Sequence, residues 1–231
     1  MCSMSGENTK TESKHIKSKA RVRDQGEVFT AEREVNAMLD LVKHETERIE
    51  SRFLEPACGD GNFLAPILER KLAVVEGRYR KSQTEFEVNS LIAIGSIYGV
   101  DIMKDNVKDC RARLFGIFDE HYTRLYKKKA KDSIRNSIKA ILKQNIVHGN
   151  ALTYTTEGEN PKPLVFSEWV RPRHNGYIKR TDWQYEEIVT KDDPDLFKES
   201  IIRQEDGKPV YRVRPVKTFP SVHMTKLGET S

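Results

Sequence analysis

Apolar residues are arranged in two alternating patterns along the first two thirds of the chain. Residues 35–42, 63–68, 107–118 and 134–142 place apolar side chains three or four positions apart, which is typical of one buried face of a helix. Short apolar runs that favour buried strands occur at residues 53–54, 98–102 and 145–152. Helix and strand therefore alternate over residues 26–153, which predicts an α/β fold with a doubly wound, mostly parallel sheet.

The pattern changes after residue 153. Residues 162–170 form an apolar run that favours one more strand, and residues 209–219 alternate like an edge strand interrupted by prolines. Charged, turn-rich segments lie between them. We therefore predict a flexible basic arm over residues 1–24 and an α/β domain over residues 25–170. A C-terminal extension over residues 171–231 would complete the sheet or contact a partner.

Composition and charge exclude only a few classes of protein. The formal net charge of +5 permits a polyanionic partner without requiring one. Cys2, Cys58 and Cys110 are far apart and odd in number, and no Cys/His metal spacing appears, so we expect a reduced, cytoplasmic protein without a metal site. No apolar run approaches the ~20 residues of a membrane span, and the N-terminus does not resemble a secretory signal.

The strongest candidate for chemistry is the loop after the first predicted strand, Glu55-Pro56-Ala57-Cys58-Gly59-Asp60-Gly61-Asn62-Phe63. Gly59 and Gly61 allow positive φ and a close approach of the backbone to a ligand. The helix that follows offers unpaired N–H groups to an anion such as a carboxylate. Glu55 or Asp60 could hold an ammonium group. The loop therefore suits a ligand that carries both an amino acid and a nucleoside.

The segment from Phe53 to Leu64 resembles the S-adenosylmethionine (SAM)-binding motif of N6-adenine DNA methyltransferases of restriction–modification systems. Residues 26–42 resemble the helical motif that precedes this loop, which implies that Phe29 and Thr30 contact SAM. Residues 98–114 resemble the second motif, in which Asp101 would bind the ribose hydroxyls and Ile102 would lie against the adenine. Residues 145–153 resemble the third motif, usually Gly-Asp-Ala-Leu, although Asn150 stands at the acidic position. The resemblance covers roughly residues 19–155.

The resemblance implies SAM as cofactor and a Rossmann-like methyltransferase fold with a shortened C-terminal part. Thirteen positions would bind SAM: Phe29, Thr30, Glu55, Pro56, Ala57, Gly59, Gly61, Asn62, Phe63, Asp101, Ile102, Asn150 and Ala151. The alternative is a dinucleotide-binding fold. Against it, the chain has no GxGxxG segment, and Glu55 and Asp101 are further apart than the ~20 residues expected there.

The catalytic segment of that family, Asn/Asp-Pro-Pro-Tyr/Phe, does not occur in the sequence. That segment accepts hydrogens from the adenine amine and stacks on the flipped base. At the expected place stand Ser167, Glu168 and Trp169, of which Glu168 could accept a hydrogen bond and Trp169 could stack a base. The alternative is that these residues are structural. Cys58 and Cys110 are more typical of packed thiols than of nucleophiles, which argues against cytosine C5 methylation.

A basic cluster with interleaved aromatic residues follows this segment: Arg171, Arg173, Lys179 and Arg180. This composition suits contacts with nucleic acid, and the basic arm could also follow a DNA backbone, although both could simply be solvated. DNA is therefore the expected partner, together with a possible partner subunit for target recognition. Three hypotheses remain open: a DNA adenine methyltransferase, a SAM-binding module without catalysis, and a methyltransferase of another substrate.

Overall fold

The computed structural model describes residues 30–173, 176–189 and 214–229, and the basic arm therefore lies outside the described residues. The helices in this part of the chain are α1 (Glu32–Leu41), α2 (Lys43–Thr46), α3 (Leu64–Tyr79), α4 (Gln83–Gly95), α5 (Lys104–Tyr126), α6 (Asp132–Asn145) and α7 (Tyr185–Val189). Short 3₁₀ helices cover Lys127–Lys129 and Met224–Glu229. The strands are β1 (Phe53–Glu55), β2 (Ile97–Asp101), β3 (Ile146–Asn150), β4 (Thr155–Thr156), β5 (Val165–Val170), β6 (Tyr177–Gln184), β7 (Lys217–Thr218) and β8 (Val222–His223).

The first sheet has the strand order β1-β2-β3-β4 and is mostly parallel. Glu55 pairs with Gly99, and Asp101 pairs with His148, so the carboxyl ends of the three parallel strands lie at one edge. The short β4 is antiparallel to β3. All five residues of β2 are buried, as expected for the central strand of a parallel sheet.

The crossover helices cover one face of this sheet. Buried side chains of α1, α3, α4, α5 and α6 share one apolar core with Ile97 and Ile146. In α3, Leu64, Leu68 and Leu72 lie on one buried stripe at helical spacing. A polar link joins three of these helices, since the buried Glu87 accepts a hydrogen bond from Tyr122 Oη at 2.5 Å and pairs with Lys131 Nζ at 3.0 Å.

A second, antiparallel sheet packs on the other face. It has the order β5-β6-β7, and β8 also pairs with β6. Tyr98 and Val100 of β2 share a second apolar core with Phe166 of β5 and Trp183 of β6. The strand predicted at residues 162–170 therefore forms, but it pairs with β6 and not with the parallel sheet.

The described residues confirm the coarser part of the fold prediction, a mixed α/β fold with a mostly parallel four-stranded sheet. Trp169 of β5 and Ile178 of β6 also contribute to the core that the crossover helices share. The doubly wound, Rossmann-like arrangement stays a prediction. In the extension, β6 adds to the second sheet and not to the first. Of the predicted edge strand, Lys217–Thr218 forms β7, and residues 209–213 lie outside the described part.

A search of the described helices for one long and apolar enough to cross a bilayer finds none.

Candidate functional site

A cleft with a volume of about 620 Å³ opens at the carboxyl ends of β1, β2 and β3. Its walls include most of the positions predicted to bind the cofactor: Thr30, Glu55, Pro56, Ala57, Gly59, Asn62, Phe63, Asp101, Ile102, Asn150 and Ala151. Gly61 belongs to the same loop but does not line the cleft, and Phe29 lies outside the described residues. The structure thus brings three segments, distant in sequence, to one edge of the sheet.

The loop after β1 is anchored by a backbone hydrogen bond and contains two glycines at positive φ. Cys58 N donates to Val100 O at 2.9 Å, which anchors the loop to β2. Gly59 has φ of 54° and Gly61 has φ of 90°, both in the region that favours glycine. A Cβ atom at Gly61 would lie 3.0 Å from the sulfur of Cys110. This loop therefore leaves little room for side chains on the side facing α5.

Asp101 joins the loop to the tip of β2. Its Oδ2 accepts a hydrogen bond from Gly59 N at 2.9 Å, and its Oδ1 accepts from Met103 N at 2.8 Å and from Asn106 Nδ2 at 3.2 Å. A carboxylate offers about four acceptor positions. The described residues use three of them, which leaves one position on Oδ2 at the cleft wall.

Glu55 is the acidic group best placed to receive an ammonium. Its carboxylate lies at the cleft wall, where burial raises its pKa, and the Ala57 N–H at 3.4 Å opposes that rise. A positive ligand group would compensate for the lost solvation. Asp60, the other candidate, does not line the cleft and lies 3.6 Å from Arg113 Nη1. The structure thus favours Glu55 over Asp60.

The start of α1 is attached to the same loop. Asn62 Nδ2 donates to Thr30 O at 2.5 Å, so the segment that leads into α1 closes one side of the cleft. Ala31, and not Thr30, is the N-cap residue of α1, and its side chain makes no capping bond. Thr30 is therefore free of a capping role and belongs to the cleft wall.

Asn150 occupies the tip of β3, and its side chain is held by the turn that follows. Its Oδ1 accepts from Leu152 N at 2.9 Å and from Thr153 N at 3.4 Å. His148 Nε2 lies 3.0 Å from Ile102 O and so fixes the tip of β2 against β3. Ile102 and Leu152 are 45% and 88% exposed at the cleft, which provides apolar surface for a ring.

Sequence reasoning missed five residues of the cleft wall: Cys58, Met103, Asn106, Gly149 and Leu152. Asn106 lies in the first turn of α5, five residues after Asp101, and its contact with the acid depends on how the chain turns from β2 into the helix, which the sequence pattern does not indicate. Leu152 is the leucine of the third motif itself, and its apolar character two residues after the polar Asn150 was the available signal.

Glu168 and Trp169 lie away from this cleft. Glu168 pairs with Arg52, which precedes β1, and accepts from Trp183 Nε1 at 3.3 Å. Trp169 packs against Gly95, which precedes β2. Both residues line a separate cavity of about 380 Å³. The structure therefore does not bring the two predicted catalytic residues to the cleft at the strand tips, and it gives both of them contacts with neighbouring elements.

The four predicted nucleic-acid contacts differ in how far they are neutralised. Arg171 binds Glu85 through two hydrogen bonds of 2.8 Å, and Arg180 pairs with Asp182 at 2.7 Å. Arg180 also stacks over the Phe219 ring at 4.5 Å. Arg173 is exposed and Lys179 is half-buried. A search of the described residues for groups of three or more metal-binding side chains finds none.

Comparison with known proteins gives one family. The family model of the MmeI DNA-methyltransferase domain matches residues 29–170, which include the loop after β1 and the tips of β2 and β3. No curated protein and no solved structure matches the chain.

Proposed function

The chain belongs to the family of the MmeI DNA-methyltransferase domain, and we propose that it uses SAM to methylate the N6 amine of adenine in DNA. The observation that carries this proposal is the bond between Gly59 N and Asp101 Oδ2. It places a glycine loop and an acidic strand tip in one cleft. An amino acid and a ribose can be bound there at the same time.

The residues of the cleft fit SAM in size and in chemistry. Pockets for ligands of this size have volumes of roughly 300–1,000 Å³, and the cleft has about 620 Å³. Glu55 would accept from the ammonium, and the N-terminus of α3 would receive the carboxylate. Asp101 would bind a ribose hydroxyl through its remaining acceptor position. Ile102 and Leu152 would pack against the adenine.

The protein's contribution to the reaction is mainly positional. Bound SAM supplies an electrophilic methyl group on a sulfonium. The residues of the cleft would orient that methyl group toward an amine and exclude water from the approach. Such positioning lowers the barrier because it removes the entropic cost of bringing the two reactants together. The Asn/Asp-Pro-Pro-Tyr/Phe segment that holds the target adenine in similar enzymes does not occur in this sequence.

A second candidate is a SAM-binding module without catalysis, which would act as a partner subunit in a restriction–modification or mobile-element system. It is favoured by the missing segment and by the structural contacts that engage Glu168 away from the cleft. A methyltransferase of another substrate would share the same cofactor cleft. DNA contacts by Arg173 and Lys179 remain part of the proposal, because the described residues give neither side chain an ion pair, whereas Arg171 and Arg180 each form one.

Calorimetric titration with SAM tests the cofactor site. We expect saturable heat from the wild-type protein and binding weakened by about tenfold in Glu55→Gln, because a hydrogen bond to a charged group is lost. Glu120→Gln makes the same change of charge on the exposed surface of α5 and should bind normally. Wild-type protein that gives no heat, or Glu55→Gln that binds like the wild type, would contradict the assignment.

Transfer of a tritiated methyl group from SAM to unmethylated DNA tests the reaction. The adenine proposal expects label in N6-methyladenine after the DNA is digested to nucleosides. SAM binding without any transfer would favour the module, and label in another base would exclude the adenine proposal.

A further inference from the structure

Six basic side chains come together where α3 and α5 end. They belong to two segments, the end of α3 with the turn that follows it, and the 3₁₀ helix after α5. Tyr126 Oη donates to Arg80 O at 3.2 Å, and Gln83 Nε2 donates to Lys129 O at 2.8 Å, so two hydrogen bonds join the segments. The following exposed residues together form the basic patch: Arg78, Arg80, Lys81, Lys127, Lys128 and Lys129.

The charge of the basic patch is not balanced by neighbouring acids. Among the described residues, none of the six side chains has an ion-pair partner. Three carboxylates of α3, α4 and α6 are paired with other cations: Glu76 with Arg124, Glu87 with Lys131 and Asp132 with Arg135. Close, unbalanced positive charges create a potential that attracts a polyanion.

The basic patch lies far from the cleft at the strand tips. Met103, which lines that cleft, directly precedes α5, and Lys127 directly follows it. A helix of 23 residues is about 34 Å long, since each residue adds about 1.5 Å. A molecule bound at the basic patch therefore does not need to enter the cleft.

One residue predicted to contact nucleic acid lies beside the basic patch. Arg171 binds Glu85 in the first turn of α4 and donates from Nε to Arg173 O at 3.2 Å. These contacts hold the exposed Arg173 near the start of α4, and Lys81 lies just before that start. Arg173 thus extends the positive surface toward the second sheet.

We propose that the basic patch binds the phosphate backbone of duplex DNA as a docking surface separate from the cleft. The inference goes beyond the proposed function, because it requires neither a cofactor nor a target base. Lysine and arginine side chains neutralise phosphates without reading the sequence. A membrane surface fits less well, because it calls for large exposed apolar side chains beside the cations, whereas Tyr79 and Tyr126 are half-buried.

Titration of fluorescein-labelled duplex DNA, followed by anisotropy at several salt concentrations and without cofactor, tests the basic patch. The slope of log K against log salt is about −0.9 for each neutralised phosphate. The triple variant Lys81→Gln, Lys128→Gln, Lys129→Gln should therefore have a slope shallower by about 2.7. Between about 50 and 200 mM salt, the wild type should lose about 40-fold more affinity than this variant.

The triple variant Lys108→Gln, Lys139→Gln, Lys143→Gln is the matched control, since it removes the same charge from exposed lysines. Lys139 Nζ lies over the Phe115 ring and Lys143 O accepts from Arg111, so these lysines lie along the first half of α5. The control should keep the wild-type slope.

Three results would overturn the proposal. They are a wild-type slope shallower than about −2.7, equal slopes in the wild type and the patch variant, and an equal change in the control. Tighter binding of phosphatidylserine vesicles than of DNA at the same salt would overturn the choice of DNA. The cofactor site is judged separately, because a wild type that binds DNA but gives no heat with SAM contradicts only the proposed function.

Discussion

Single residues with unusual surroundings set both the shape of the cleft and part of the stability. The loop after β1 illustrates this, because its two positive-φ glycines follow directly from the sequence string, but only the structure shows what lies behind them. Cys110, which is 49 positions after Gly61 by numbering, fills the space a side chain would need. The glycines could be predicted from local sequence rules. Their steric neighbour Cys110 could not, because it belongs to the distant helix α5.

Gly61→Ala should lower the free energy of unfolding by about 1–3 kcal/mol, because alanine is strained at φ of 90° and its Cβ meets Cys110. Urea denaturation measures the change. Gly116→Ala is the control, since that helical glycine in α5 has open space around it and alanine favours the helix. A loss of stability in Gly116→Ala equal to that in Gly61→Ala would contradict the steric explanation.

Lys71 is fully buried in α3 and donates to three backbone carbonyls, those of Arg48, Ile49 and Ser51, at 2.9, 3.0 and 2.6 Å. Replacement by methionine leaves these acceptors without donors, so we expect Lys71→Met to lose about 2–4 kcal/mol in urea denaturation. Lys108→Met removes an exposed lysine from α5 and should change little. An equal effect of the two variants would contradict a specific role for Lys71.

Lys71 also predicts how stability depends on pH. Burial lowers the pKa of Lys71 to about 7 in the folded protein, from an ordinary pKa of 10.5. Between these two values the unfolded chain binds a proton that the folded chain does not, so the free energy of unfolding should rise with pH across this window. Urea denaturation at about pH 7.5, 8.5 and 9.5 should show this rise in the wild type. The rise should be smaller in Lys71→Met. Parallel profiles for both proteins would exclude Lys71 as the source.

At the scale of elements, helix packing depends on a few buried polar contacts between distant segments. The sequence predicted α3, α5 and α6 from apolar spacing, because that spacing reports the buried stripe of each helix separately. It did not indicate that Glu87 of α4 meets Tyr122 of α5 and Lys131, which precedes α6. Pairings of this kind depend on how the helices cross, and apolar spacing within one helix carries no information about that.

Glu87 and Tyr122 should act together in stability. We expect Tyr122→Phe and Glu87→Gln each to cost about 1–3 kcal/mol, and the double variant to cost less than their sum, because both changes remove the same contact. Urea denaturation of the wild type, the two single variants and the double variant gives the coupling free energy between Glu87 and Tyr122. Tyr126→Phe with Glu87→Gln is the comparison, because Tyr126 donates to Arg80 O and not to Glu87, and these two changes should add. Strict additivity of Tyr122→Phe with Glu87→Gln would contradict the link.

At the scale of the whole molecule, the two sheets have different roles. The parallel sheet carries the cleft at its carboxyl edge, and this half was predictable because each motif lies at a strand end. The second sheet was not predicted, since the buried pattern of Val165–Val170 fits either kind of sheet. Only its pairing with residues 179–184 decides between them. Glu168 therefore seemed available for chemistry, although Arg52, 116 positions away, engages it.

This division predicts that Glu168 matters for stability and not for the cofactor. Glu168→Gln weakens the contact between Arg52 and the second sheet, so we expect a loss of about 1–3 kcal/mol in urea denaturation. The affinity for S-adenosylhomocysteine should stay within about twofold of the wild type, since no contact to the cleft is lost. Weakened binding without a change in stability would place Glu168 in the functional machinery after all.

The cleft is assembled from three strand tips whose connecting segments, residues 56–96 and 102–145, contain most of the helical core. A ligand bound in the cleft therefore contacts all three strand tips, which separate when the protein unfolds. Mass action then favours the folded state by about 2.7 kcal/mol at a concentration of ~100 times the dissociation constant. Melting temperature thus becomes a report of occupancy, and a panel of nucleosides can be ranked on this protein before any methyl acceptor is identified.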